Sequence, residues 1–276
     1  MSASVEHLKR VGFIGAGRMA TALSQGLVTA EFTSADCIVA CDVLSAARER
    51  FADATGALVV KLSTDVLANA EIVFLAVKPQ QMANILTEIK SHVTTDHLIV
   101  SIAAGIPLRM MVEVLGDDRR LVRVMPNTPC LVGESASGFA LGGAASDDDG
   151  ILVQKMLSTV GIAVAVDESL LDAVTGLSGS GPAYVYEFIE ALSEAGVCMG
   201  LPHEMATKLA VQTVFGAAQM VLQTGEHPVV LKNAVTSPGG TTIAGLRTLE
   251  QGGLRNCVID AVRAATLRSK ELGQLS

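Results

Sequence analysis

The sequence has no excess of basic residues: 20 Lys+Arg stand against 28 Asp+Glu, for a net charge of -8 and a pI near 5.1. Such a chain opposes phosphate backbones and anionic lipid, so neither nucleic acid nor a membrane is an expected partner. Nor does charge gather in a tail, because the stretches before and after residue 165 carry the same net charge. The cysteines, Cys37, Cys41, Cys130, Cys198 and Cys257, are odd in number and scattered, with no CxxC pair. Neither they nor His7, His92, His97, His203 and His227 show metal-ligand spacing, so no metal is expected and a reduced cytoplasmic setting fits. No apolar stretch reaches the ~18 residues of a membrane span, and MSASVEHLKR lacks the apolar core of a signal peptide. A soluble chain is expected. Internal repeats and low-complexity linkers are absent too. What is present is core material: 276 residues, 50% hydrophobic and 17% charged, which rules out disorder and exceeds one average domain.

From Val11 to about Val166 short apolar runs alternate with helical patterns. The runs are Val11 to Ile14, Ile38 to Cys41, Leu58 to Val60, Ile72 to Val77, Leu98 to Ala103, Leu121 to Val124 and Ile162 to Val166. Nearly continuous apolar strands between helices are what a parallel sheet covered on both faces requires. Residues 1–166 therefore read as a doubly wound α/β domain. Residues 167–276 read as all-helical, with stretches at Tyr184 to Met199, His203 to Gln223 and Leu254 to Leu272. The first of these is apolar over more than one face, which points to a partner chain or, alternatively, to a central helix within a monomer.

Val11-Gly-Phe-Ile14-Gly15-Ala16-Gly17-Arg18-Met19-Ala20 runs from a strand through GxGxxA into a helix. Gly15 permits the tight turn, Gly17 lets backbone amides approach a pyrophosphate, and Ala20 lets the helix pack on the sheet. Asp42 ends the second strand, where an acid accepts hydrogen bonds from ribose hydroxyls and repels a 2′-phosphate. Arg18 and Arg48 could instead bind that phosphate, so NADH and NADPH both stay open. Ala76-Val77-Lys78-Pro79, Ser101 to Gly105 and Met125 to Pro129 close further strands on the same side of the sheet. The small residues at 103 to 105 leave room for a flat ring.

Gly176-Leu-Ser-Gly-Ser-Gly-Pro182 follows a helical stretch, so it reads as a helix start and not as a second phosphate loop. Its spacing resembles the signature of β-hydroxyacid dehydrogenases, but Val185 and Ile189 occupy the positions of the Lys and Asn that such chemistry needs. Thr236-Ser237-Pro238-Gly239-Gly240-Thr241-Thr242 opens a helix. Exposed amides there, flanked by hydroxyls, suit a small carboxylate, and spacing alone fits a hydroxyl-rich helix cap equally well.

Taken together, from Val11 to about Leu272, these segments resemble the pyrroline-5-carboxylate reductase family. The most specific are Asp172 to Tyr184 and Thr236 to Thr242. The resemblance implies a Rossmann domain, a helical domain interlocked with its partner's, an active site at that dimer interface, and assembly beyond the homodimer into a ring such as a decamer. It implies reduction of a small cyclic imine, 1-pyrroline-5-carboxylate, to proline by NADPH or NADH. It places cofactor contacts on Ile14, Gly15, Ala16, Gly17, Arg18, Met19, Asp42, Ser63, Ala76, Val77, Lys78, Pro79, Ile102, Ala103 and Ala104. Substrate contacts fall on Glu168, Ser237, Gly240, Thr241 and Thr242, with Thr242 the catalytic candidate. Asp42 and Ala234 depart from what many members show, and both bear on the cofactor. Two rivals remain: a dehydrogenase acting on an open-chain substrate, and a dinucleotide-binding sensor without turnover.

Overall fold

The computed structural model describes residues 9–274, so His7 and the first eight residues of the amino-terminal stretch discussed above lie outside the described part. Eight strands form one sheet: β1 (Val11–Ile14), β2 (Ile38–Cys41), β3 (Leu58–Val60), β4 (Ile72–Leu75), β5 (Leu98–Ser101), β6 (Arg120–Met125), β7 (Ser135–Gly143) and β8 (Gly161–Ala165). Their order is β3-β2-β1-β4-β5-β6-β7-β8, and β1 to β6 are all parallel. Helices α1 (Arg18–Thr29), α2 (Ser45–Thr55), α3 (Ser63–Asn69), α4 (Met82–Ile89), α5 (Leu108–Leu115), α6 (Asp147–Leu157) and the short α7 (Leu171–Val174) accompany the sheet. This is a Rossmann-like arrangement.

The central strands are buried on both faces, which explains their unbroken apolar sequences. Residue alternation splits the core in two. Phe13 and Phe74 stack on one face with ring centroids 5.1 Å apart, beside Phe51 of α2, while Ile14, Val73 and Leu75 face Met82 and Leu86 of α4 on the other. Burying each such side chain contributes about 1.5–3 kcal/mol. The acidic cluster at residues 147 to 149 opens α6 through a capping box, Ser146 Oγ accepting from Asp149 N while the Asp149 carboxylate accepts from Ser146 N.

Two expectations need correction. The sheet is not wholly parallel, and the sequence reading has no strand between Val124 and Ile162. Nine-residue β7 lies there, antiparallel to β6 and parallel to β8. Its sequence, SASGFALGG, is poor in β-branched residues. Helices pack tightly over it: a Cβ at Gly138 would sit 2.9 Å from Val174 Cγ1, and one at Gly142 2.7 Å from Leu108 Cδ2. The glycines serve that close approach.

The chain divides into two compact units, one running through Ser180 with Ala264 onward added to it, the other being Gly181–Arg263. The sheet ends at Ala165, next to the expected boundary at 166, but the residues after it stay with the first unit. Leu171 is fully buried in that unit's core, Val174 packs against it, and Ser269 Oγ donates to Asp172 Oδ1 at 2.7 Å. The second unit holds α8 (Gly181–Cys198), α9 (His203–Thr224), α10 (Pro228–Ala234), α11 (Thr241–Gln251) and the start of α12 (Leu254–Gln274). There α8 and α9 come close through small residues: a Cβ at Gly196 would stand 3.0 Å from Ala206 Cβ, and the Ser193 and Thr207 hydroxyls are 2.7 Å apart. No helix among the described residues is long and apolar enough to cross a membrane.

Candidate active site

In the first unit, β1 sits between β2 and β4 with Ile14 level with Cys41 and Leu75, so three strand ends meet at the glycine loop. Connections leave in opposite directions there, which is where open α/β sheets bind ligands. Gly15 N donates to Cys41 O and Ala76 N to Ile14 O, both at 2.8 Å. Gly15 has φ +103°, and a Cβ on it would meet Ala76 O at 2.6 Å. Its glycine is thus explained by the protein's own packing. Gly17 is different: it is extended, and a Cβ on it would meet nothing within 4 Å. The open space over Gly17 is what a closely approaching pyrophosphate needs. Gly17 caps α1 with no side-chain hydrogen bond, and the first turn carries no acid, so the helix start is free to bind an anion. These residues fit a dinucleotide.

Around the loop, Ile14 and Ala16 are buried, Met19 is half-buried and Arg18 is exposed. Asp42 binds the loop itself: Oδ2 accepts from Ala16 N at 3.0 Å and Oδ1 from Leu44 N at 2.9 Å. Arg48 donates to the main-chain carbonyl of Asp42, so it is tied to the same turn. Ser63 begins α3, buried, with its hydroxyl donating to Glu88. Ala76, Val77 and Pro79 are half-buried and Lys78 is exposed. Ala103 is buried, Ala104 exposed and Ile102 half-buried, so a shelf of small side chains follows β5.

In the second unit, Gly240 and not a hydroxyl residue caps α11, with no side-chain cap hydrogen bond. The hydroxyl-cap reading is therefore replaced by open amides at the helix start. A Cβ at Gly240 would fall 2.3 Å from Ser237 Oγ, so glycine is required to keep that hydroxyl beside the amides. Gly240 N donates to Ser237 O at 3.1 Å and closes the turn. Ser237 and Thr241 are exposed and Thr242 half-buried. With no acid in the first turn, these unpaired donors are of the kind that suits a small anion. Ala234 ends α10, exposed.

Glu168 lies in the first unit. Its Oε1 accepts from Leu108 N at 2.6 Å and from Arg123 Nη1 at 3.1 Å, while Arg123 Nη2 stands 3.7 Å from Asp172 Oδ1. The arginine is buried and pairs two carboxylates that follow the sheet. Arg123 was not singled out from the sequence, although a charge within the apolar strand LVRV was the available signal. Asn127, noted only as part of a strand end, proves to be a brace. Its side chain accepts from Ala136 N and Ser135 Oγ and donates to Ser178 O, tying β7 to the glycine-rich segment. That segment is a π-helical turn, Thr175–Gly179, pressed against Met125. A separate hollow of about 620 Å³, with Phe139, Val166 and Glu168 in its wall, shares no residue with the glycine loop. Among the described residues no cluster of His, Cys, Asp or Glu could hold a metal ion.

Residues 168–272 match the family model described as pyrroline-5-carboxylate reductase dimerisation, and residues 10–105 match the one described as NADP oxidoreductase coenzyme F420-dependent. The pyrroline-5-carboxylate reductase of Arabidopsis thaliana is 47% identical over 265 residues, 96% of both chains. That of Methanosarcina acetivorans is 45% identical, over 96% of this chain and 98% of its own. Among solved structures, the pyrroline-5-carboxylate reductase from Coxiella burnetii superposes with a TM-score of 0.92 at 36% identity, covering 96% of this chain and 99% of that one. The pyrroline carboxylate reductase of Plasmodium falciparum, solved with NADP bound, gives 0.86 at 32% identity, covering 98% and 100%.

Proposed function

The chain belongs to the pyrroline-5-carboxylate reductase family, and from that premise we propose how its residues perform the reaction of that family. It is an NAD(P)H-dependent oxidoreductase that reduces the C=N bond of 1-pyrroline-5-carboxylate to give proline, the last step of proline biosynthesis. The nicotinamide cofactor, when bound, supplies the hydride.

The residues divide the remaining work. The amides of Gly17, Arg18 and Met19 at the start of α1 hold the pyrophosphate, and the shelf from Ile102 to Ala104 leaves room for the ring. Ala76 to Pro79 line the loop beside it. At α11, the amides after Gly240 take the substrate carboxylate, with Ser237 and Thr241 adding hydroxyl donors. Helix-start amides contribute about 0.3–1 kcal/mol toward an anion when exposed and up to about 2 when partly buried. Thr242 hydrogen-bonds the ring nitrogen. A protonated cyclic imine is already electrophilic at C5, so the site needs to position it more than to acidify it. Glu168 is a further substrate contact in this reading; its Oε1 is committed to Arg123 and Leu108, which leaves Oε2 for that role.

The observation that carries this reading is the uncapped, hydroxyl-flanked start of α11, a donor cradle that the protein's own side chains leave open. Thr242→Ala is expected to lower kcat by about ten- to a hundredfold with the cofactor Kd nearly unchanged. An unaffected kcat removes Thr242 from the mechanism. For the assembly we propose a homodimer extended into a ring such as a decamer; the dimerisation match over 168–272 supports the dimer. The five unpaired cysteines suit a cytoplasmic location.

A further inference from the structure

We infer that Arg123 is a positioning residue for the reaction: it holds the Glu168 carboxylate so that one oxygen serves the fold and the other is kept for the cationic end of the substrate. This rests on the reading of Glu168 as a substrate contact. Arg123 lies in β6, an interior strand, with its side chain buried. Its guanidinium is a planar fork of donors, and the two arms go to different carboxylates. Nη1 donates to Glu168 Oε1 at 3.1 Å, and Nη2 stands 3.7 Å from Asp172 Oδ1. A second donor, Leu108 N, reaches the same Oε1 at 2.6 Å. No side chain beside α5 caps it, so Glu168 closes the start of that helix from 60 residues away. Two donors from separate elements hold the carboxylate in one orientation. The direction of Oε2 is fixed with it.

The charge balance goes beyond what a brace requires. One carboxylate is enough to balance a buried arginine, and this one has two. The three groups together keep one negative charge in excess. Asp172 is supplied from α12 as well, because Ser269 Oγ donates to its Oδ1 at 2.7 Å. Glu168 Oε2 has no hydrogen-bond partner among the described residues, and the side chain is 34% exposed. Glu168 and Asp167 stand in the wall of the hollow of about 620 Å³, and no Lys or Arg does. The unmatched acceptor and the excess charge thus fall on one group. A protonated imine carries its positive charge at the ring nitrogen, the end of the substrate that a bare carboxylate oxygen selects. Without Arg123 the two carboxylates lose the cation between them, and Glu168 keeps only the Leu108 amide to hold it.

Inhibition by two ring acids of similar size separates positioning from bracing. L-proline carries an ammonium and a carboxylate, and cyclopentanecarboxylate carries the carboxylate alone. In the full chain, Glu168→Gln and Arg123→Met are each expected to weaken competitive inhibition by proline about tenfold and to raise the KM for 1-pyrroline-5-carboxylate by a similar factor. Inhibition by cyclopentanecarboxylate and the cofactor Kd are expected to stay within about twofold. The double variant is expected to be no worse than either single one, since both remove the same interaction. Asp172→Asn, on the other arm of the fork, is expected to change the proline constant less than about threefold. Arg123→Lys keeps the charge and loses the fork; a smaller loss in the same direction is expected, and it carries the test where Arg123→Met does not fold. Equal weakening of both inhibitors in the Arg123 variants overturns the inference, because Arg123 then only braces the fold. So does unchanged proline inhibition in those variants when Glu168→Gln loses it, and Glu168 remains a contact. Unchanged kinetics in Glu168→Gln removes Glu168 from the substrate site, and the inference falls with that reading.

Discussion

The two compact units solve the burial problem in opposite ways. In the first, whole strands disappear from solvent and phenylalanines stack across the sheet. In the second, residues 181 to 263, the buried residues are Ser193, Ala206 and Ala210 alone, while Phe188, Leu209, Val211, Phe215, Leu222 and Ile259 stay exposed. Large exposed apolar surface of that extent marks an interaction face. The first unit thus carries its own core, and the second has the composition of half a core. The match of residues 168–272 to a dimerisation model agrees with that difference.

The contrast can be broken at several points. Phe74→Ala, within the first core, is expected to cost about 3–5 kcal/mol, read by denaturant unfolding and independent of protein concentration. A midpoint that rises with concentration would show that the first unit leans on a partner as well. Phe215→Glu, at a side chain 53% exposed, places a charge on the unpartnered helical face. It is expected to weaken the dimer about a hundredfold, or ~3 kcal/mol, by sedimentation. Val132→Glu in the first unit, at 77% exposure, serves as the control and is expected to stay within about 0.5 kcal/mol. If both leave the assembly unchanged, the helical face is not the interface.

Alkali sharpens the comparison with a smaller effect. Burial is the leading cause that pushes the Cys41 and Cys130 thiols of the first unit up to about 11, from an ordinary 9.0. Between those values the unfolded chain releases protons that the folded chain keeps, so stability is fully present below pH 9 and falls as pH rises toward 11. The slope is about 1.4 kcal/mol per pH unit for each thiol. Cys41→Ala and Cys130→Ala together are expected to flatten that slope in pH-dependent melts. An unchanged slope assigns alkaline loss to other groups.

Much of this was legible in sequence because some residues have few alternatives. Val11 to Ile14 and Ile72 to Leu75 are apolar at every position, and only a strand buried on both faces explains that. Gly15 and Gly240 each sit where a Cβ would strike a neighbour, so both glycine motifs stood out before the fold was known. β7 was not legible, since its serines and glycines carry no strand preference and its pairing comes from β6 and β8. The Asp42 carboxylate likewise looked like a free ribose acceptor, and its hold on Ala16 and Leu44 appears only once the loop and the strand end lie side by side.

What the order of residues determined alone was local: which runs become strands, where helices begin, and which turns leave amides bare. Backbone sterics and apolar periodicity act over a few residues and need no distant partner. Tertiary structure decided the rest. It set the direction of β7, enrolled Leu171 and Ser269 in the first unit, and gave Arg123 two carboxylates 45 and 49 positions along the chain. Those outcomes depend on which surfaces meet, and contact between distant residues is a property of the folded chain that no local pattern encodes.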